Sequence, residues 1–165
     1  MNIDMILETM GRCRVRALLI GGVNFMFRHK PVLTYDIDLW VDDTPENRLR
    51  CEQALAELKA EWGHTEADWA PVASRTPGWL GQQSIFCVSS PHGAIDLFRS
   101  VRGLPDFETC FGRAIHERTA SGVFYDGLSD ADMLACQRAL AASDRKLDRM
   151  QVLEAALRTE RNNPG

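Results

Sequence analysis

Asp36 and Asp38 stand one residue apart in Thr34-Tyr35-Asp36-Ile37-Asp38-Leu39-Trp40-Val41, a run that otherwise reads as a buried strand. Strict alternation sends Tyr35, Ile37, Leu39 and Val41 to one side and Asp36, Asp38 and Trp40 to the other. Two carboxylates on one strand face lie roughly 6.6 Å apart along it. Unpaired, they repel, and burying either is costly. A hard divalent cation, Mg2+ or Mn2+, shared between their oxygens removes the conflict. The competing reading is a strand end that faces solvent with two hydrated aspartates. Asp96, in Ala94-Ile95-Asp96-Leu97-Phe98, projects from the same kind of strand surface. Alone it reads as a solvent-facing strand position. Together the three could hold two ions that orient a triphosphate and activate an attacking hydroxyl in line.

Gly21-Gly22 falls between an apolar run ending at Ile20 and a short helical pattern, Val23 to Arg28. Glycine lets a backbone approach a ligand closely, and free N–H groups at a helix N-terminus attract phosphate. Any tight turn can use such a pair. A phosphate cradle followed some 14 residues later by paired carboxylates is the stronger, joint signal.

The elements that must position these groups are read from periodicity. Apolar residues 3, 6, 7 and 10 share a helical face, closed by Gly11. Val15 to Ile20 reads as a buried strand, and Pro31 stops the helix that follows Gly22. Thr44 caps and Pro45 starts a helix expected to reach Trp62, with Leu49, Ala54, Leu55 and Leu58 inward and Gly63 at its end. Residues 63–81 carry no clear period and read as a functional loop or a missed element. Two strands, 84–88 and 94–98, join through Pro91-His92-Gly93. A helix over 105–115, a short strand over 123–125, a helix from Ser129 to about Ala142 and a last helix over 144–157 complete the chain, with 161–165 as a frayed tail.

Composition sets the limits. The chain has 165 residues, 45% hydrophobic and 25% charged, enough for one real core. Its net charge of −4 gives no global basic field for nucleic acid. The longest apolar run, Ala17 to Ile20, is far too short to span a membrane, and residues 1–4 lack a signal-peptide pattern. Five scattered cysteines, with no C-x-x-C pair, read as reduced thiols in a cytoplasm. His29, His64, His92 and His116 show no metal spacing. Trp62, Trp69 and Trp79 border the irregular segment, where they stack on a ligand or pack on the sheet edge.

Gly21-Gly22 followed by Thr34-Tyr35-Asp36-Ile37-Asp38-Leu39-Trp40-Val41 resembles the core motif of the DNA polymerase β-like nucleotidyltransferases, in particular their small bacterial AbiEii-like, stand-alone branch. Pro45 to Leu55, Ile95-Asp96-Leu97 and Leu128 to Leu134 resemble the elements that follow in that family, so the likeness spans about 15–157. The resemblance implies an α+β fold, a small mixed sheet flanked by helices, with a core over 1–127 and a helical extension over 128–165 packed on it as one domain. It implies transfer of NMP from an NTP to an acceptor: a tRNA end or other RNA, a protein side chain or a small molecule. Asp36, Asp38 and Asp96 would be the catalytic metal ligands. Gly21, Gly22, Asn24, Arg28, Lys30, Thr34 and Lys146 would bind nucleotide. A toxin role with an antitoxin partner also follows from it, and the shortness of the chain suggests that a homo-oligomer or a second protein completes the acceptor surface. Pro31-Val32-Leu33 stands where relatives tend to have an Arg, Gln137 where they have a Lys, and the Lys-Asp pattern survives only as Lys146-Leu147-Asp148 before Gln151. Arg28, Lys30, Arg138 and Lys146 are then the candidate nucleotide cations, each of which also reads as a solvated surface residue. A degenerate, non-catalytic relative that binds nucleotide or a protein is the alternative these departures suggest.

Overall fold

In a computed structural model that describes residues 1–162, the chain builds one eight-stranded mixed sheet with helices on both faces. In chain order the elements are α1 (Ile3–Arg12), β1 (Ala17–Ile20), α2 (Gly21–Arg28), β2 (Asp36–Val41), α3 (Pro45–Glu57), β3 (Glu61–Trp62), β4 (Ala70–Pro71), β5 (Ile85–Ser90), β6 (Gly93–Phe98), α4 (Phe107–Phe111), β7 (Ile115–Arg118), β8 (Phe124–Gly127), α5 (Asp130–Ala139) and α6 (Leu147–Asn162). The strand order is β4-β3-β5-β6-β2-β1-β8-β7. This is the α+β fold that the resemblance implied.

The centre of the sheet explains the placement of everything else. β2 runs antiparallel to β1 and parallel to β6. Alternation then sorts the side chains onto two layers. Leu19, Ile37, Leu39, Ile95 and Leu97 face one core with α1 and α3. Leu18, Ile20 and Trp40 face the other, with Phe107, Leu128, Met133 and Leu153. Trp40 is therefore on the aspartate face as expected, but it is buried against the Phe107 ring rather than lining a site.

Several boundaries differ from the sequence reading. Gly11 lies inside α1, which Cys13 closes. α3 stops at Glu57, not Trp62; Lys59 turns the chain at φ +54°, and Trp62 leaves as a two-residue strand to stack on Trp79. Ala54, Leu55 and Leu58 are buried as expected, whereas Leu49 is exposed and the polar Asn47 and Glu52 are buried instead. Asn47 accepts the Arg16 N–H (2.7 Å) and donates to the Arg16 and Asp42 carbonyls, both at 2.9 Å. Glu52 accepts the Gly78 and Leu80 N–H groups at 2.8 and 2.9 Å. The irregular 63–81 segment is thus pinned to α3 by a buried carboxylate and by the Trp62–Trp79–Phe86 cluster. Trp69 remains partly exposed.

The helix expected over 105–115 is only Phe107–Phe111, and the polar edge strand β7 follows it. α5 starts on its Ser129 cap as read but ends at Ala139, and α6 runs three residues later at its start and five later at its end than the 144–157 expected. Arg161 and Asn162 are helical, whereas the remainder of the expected tail, 163–165, lies outside the described residues. The cysteines are free among the described residues, and no helix there is long and apolar enough to cross a membrane.

Candidate active site

Asp36, Asp38 and Asp96 come together where β2 and β6 lie side by side. Asp38 is the register partner of Asp96, and Asp36 is the partner of Ala94, two residues before Asp96. All three project from the face that α5 and α6 approach, because Ile37, Leu39, Ile95 and Leu97 occupy the other. Asp38 is the most deeply set of the three. Burial, and the negative charges of Asp36 and Asp96, push its pKa up to about 6. Burial also raises Asp96, with the Asp36 charge adding to it. Cys87, the register partner of Asp96 on β5, lies beside that carboxylate and offsets part of the rise. Its own thiol is held up at about 11, chiefly by burial.

The glycines are fitted to this cluster. Gly21 has φ +65°, and a Cβ there would stand 2.0 Å from Asp38 Oδ2. No side chain could enter that space without displacing the carboxylate. A Cβ on Gly22 would meet Thr34 Oγ1 at 2.8 Å. The pair does not precede the helix, as the sequence suggested, but forms its first turn. Ile20, at the N-cap, offers no oxygen to that turn. The Gly22 N–H points at Asp38 and partly offsets the repulsion there. A helix end without a side-chain cap thus lies beside a group of carboxylates, an arrangement that suits phosphate with its counter-cation.

The remaining expected nucleotide ligands divide. Thr34 is at the site, and its hydroxyl donates to the Asp36 carboxylate at 3.1 Å. Asn24 is fully buried and structural; its amide nitrogen donates to Leu128 O at 2.9 Å and to Met133 Sδ at 3.2 Å. The Arg28 guanidinium is taken up by the buried Asp130 carboxylate, which also pairs with His29 at 2.9 Å. Lys30 stands 3.7 Å from Asp148. Arg138 pairs with Glu154 at 2.9 Å, and Lys146 is exposed.

The cation whose charge acts on Asp38 is Arg149, which none of the sequence patterns singled out. It lies on the first turns of α6, and its Nη1 is 3.7 Å from where a Gly22 Cβ would be. Its charge lowers the Asp38 pKa, and its guanidinium lies 5.7 Å from the Phe25 ring centre. Among the described residues no carboxylate lies within ion-pair distance of it. The available signal was its position directly after Lys146-Leu147-Asp148. Cys87 had a clearer one, since it alternates with the apolar Phe86 and Val88 and so shares the Asp96 side.

Asp38, Gly21 and Arg149 form one end of a cavity of about 260 Å³ between the sheet and the C-terminal helices. Phe25, Phe98, Leu128, Met133 and Leu153 supply apolar walls, and Gln137 is a polar group among them. Among the described residues no three His, Cys, Asp or Glu side chains are already gathered into a metal cage. The donor chemistry nonetheless fits Mg2+, which takes one or two carboxylates and completes its shell with water and substrate phosphate.

The sequence matches no protein-family model and no curated protein. Solved structures do share its fold. The crystal structure of ANT(2'')-Ia in complex with adenylyl-2''-tobramycin aligns with a TM-score of 0.60 at 14% identity, over 96% of this chain and 89% of that one. The solution structure of the antibiotic-resistance factor ANT(2'')-Ia aligns at 0.50 and 14%, over 97% and 91%. At such identity the likeness is one of fold.

Proposed function

We propose that this chain is a Mg2+-dependent nucleotidyltransferase that moves an NMP from an NTP to an acceptor hydroxyl. The observation that carries the reading is the convergence of Asp36, Asp38 and Asp96 at a glycine helix entry that a Cβ would block. Each of these carboxylates raises the cost of ionising its neighbours, a repulsion that a bound cation would relieve. The shared fold with ANT(2'')-Ia, whose crystal structure contains an adenylylated tobramycin, supports the same chemistry.

In this reading Asp36 and Asp38 would hold Mg2+ against the triphosphate, and Asp96 would complete the metal site. The ion, when bound, neutralises phosphate charge and polarises the α-phosphorus. The first turn of α2, which has no side-chain cap, and the Arg149 guanidinium hold the phosphates. Asp96, its basicity raised by burial, accepts the proton of the acceptor hydroxyl. The acceptor oxygen bonds to the α-phosphorus as the bond to pyrophosphate breaks in line. Arg149 takes the role sought in Arg28, and this weakens the case for a non-catalytic relative. The acceptor classes are an RNA end, a protein side chain and a small molecule. A toxin role in the AbiEii manner would need one of the first two.

The test is transfer of α-labelled NTP, with Mg2+, to RNA, protein and small-molecule fractions of a cell extract. Label should move to one fraction, with release of pyrophosphate, and should not move with Asp36→Ala. Labelling that persists in Asp36→Ala, or none in any fraction with folded wild type, overturns the reading.

A further inference from the structure

Arg149 stands on a turn with little apolar packing of its own. Among the described residues of α6 only Leu153 is fully buried, one turn beyond Arg149, with Met150 partly buried beside it. Before Arg149, Leu147 and Asp148 are exposed, so apolar contact does not fix the direction of the first turn. In the segment that leads into it, 141–148, every residue is exposed but one, Arg145.

Arg145 is turned back onto α5. Its Nε donates to Leu140 O at 3.0 Å and its Nη2 to Arg138 O at 2.9 Å. Those carbonyls lie at the C-terminal end of α5, which closes at Ala139, where the helix has no further N–H to offer them. A guanidinium also suits the negative end of the helix dipole. One residue on, the Lys146 N–H donates to Gln137 Oε1 at 2.8 Å, and the Lys146 carbonyl accepts the Met150 N–H at 3.0 Å at the start of α6. Side-chain hydrogen bonds thus join the last turn of α5 to the first turn of α6. Arg149 lies in that first turn, three residues past Lys146. A rotation of the turn would carry its guanidinium away from Gly22 and Asp38.

We propose that Arg145 is a positioning residue for nucleotide binding: it clamps the α5–α6 connection and so aims Arg149 at the phosphates. The proposal rests on the nucleotidyltransferase reading above, in which Arg149 meets the triphosphate. Arg145 is itself engaged by two carbonyls and acts through Arg149. The planar fork of a guanidinium is what lets one side chain span both carbonyls; a lysine ammonium is a compact charge on a flexible stem and does not hold the same geometry.

The test is a double-mutant cycle on the affinity for the four NTPs, each with Mg2+: wild type, Arg145→Met, Arg149→Ala and the two changes together. Methionine keeps an apolar stem and removes the donors, and thermal melting establishes that each variant is folded. Arg145→Met should weaken binding about tenfold when Arg149 is present, and less than about twofold when it is already alanine. Arg145→Lys keeps the charge and should recover part of the loss. If Arg145→Met does not fold, the same cycle with Arg145→Lys decides, since its remaining loss should vanish with Arg149→Ala. Equal weakening in both backgrounds means that Arg145 acts by its own charge and overturns the proposal, as does an Arg145→Met that binds like wild type. An Arg149→Ala that binds like wild type overturns it too. All three results leave the carboxylate site and the nucleotidyltransferase reading standing. A folded wild type that binds no NTP overturns that reading, and this proposal with it.

Discussion

Glu52 and Asp38 are both sunk into the protein, and their surroundings are opposite. Glu52 is met by two backbone N–H groups, from Gly78 and Leu80. Asp132 is similarly served, by Arg113 at 2.6 Å and by the Ser129 hydroxyl at 2.9 Å. Asp38 has one backbone donor, a distant guanidinium and two other carboxylates. A buried charge that is fully matched holds a fold together. One that is left under-matched, at a place where glycine has cleared the space, is held ready for a charge that arrives from outside.

This contrast can be broken by exchanging the two outcomes. Asp38→Asn should lower NMP transfer about a thousandfold or more, since a metal ligand is lost. Its melting temperature should equal or exceed that of wild type at neutral pH. Glu52→Ala should do the reverse in kind, lowering stability by about 2–4 kcal/mol in urea unfolding, because two buried N–H groups lose their acceptor. The residual transfer of its folded fraction should match wild type. If Asp38→Asn unfolds the chain, or Glu52→Ala is as stable as wild type, the distinction between the two carboxylates is wrong.

Arg149→Ala sharpens the comparison on the side of the ligand. Loss of a charge-assisted contact to phosphate should raise KM for NTP about 10- to 100-fold. Arg149→Lys should recover part of that, and thermal melting without nucleotide should change little. Titration gives a smaller, signed effect. Asp38 ionises near 6 in the folded chain against an ordinary 3.8. As pH rises from about 4 to about 6, the unfolded chain releases this proton first, so folding loses stability across that window and not above it. The loss should be about 1–3 kcal/mol in the metal-free protein. It is isolated as the difference between the urea stability curves of wild type and Asp38→Asn. Lys146→Ala should be the smallest change, less than about twofold in KM, since an exposed lysine is largely screened.

The parts of the site that lie within one strand or one turn could be read from the sequence. Asp36 and Asp38 alternate with Ile37 and Leu39, and Gly21-Gly22 follows an apolar run, so pattern alone exposed them. Asp96 followed for the same reason. Arg149 did not, because it is one of several arginines on a largely polar helix. Only the packing of α6 on α5, which brings Arg149 to Phe25 of α2, singles it out. Arg28 misled in the opposite way. Its match to the resemblance was local, whereas its partner, Asp130, lies far along the chain. The same limit explains α3. Hydrophobic pattern places Leu49 inward, but Asn47 and Glu52 are inside because distant backbone groups need them. β3 and β4 are two residues each, and β7 is a polar edge; none has enough length or alternation to be seen without its neighbours.

The most direct measurement is calorimetric titration of the four NTPs, with and without Mg2+, into wild type and an Asp36→Ala/Asp38→Ala variant. Binding that requires both the ion and the aspartates is the expected result. Folded wild type that binds none of the four, or a double variant that binds as tightly as wild type, would contradict the assignment of this carboxylate cluster to a metal-bound nucleotide.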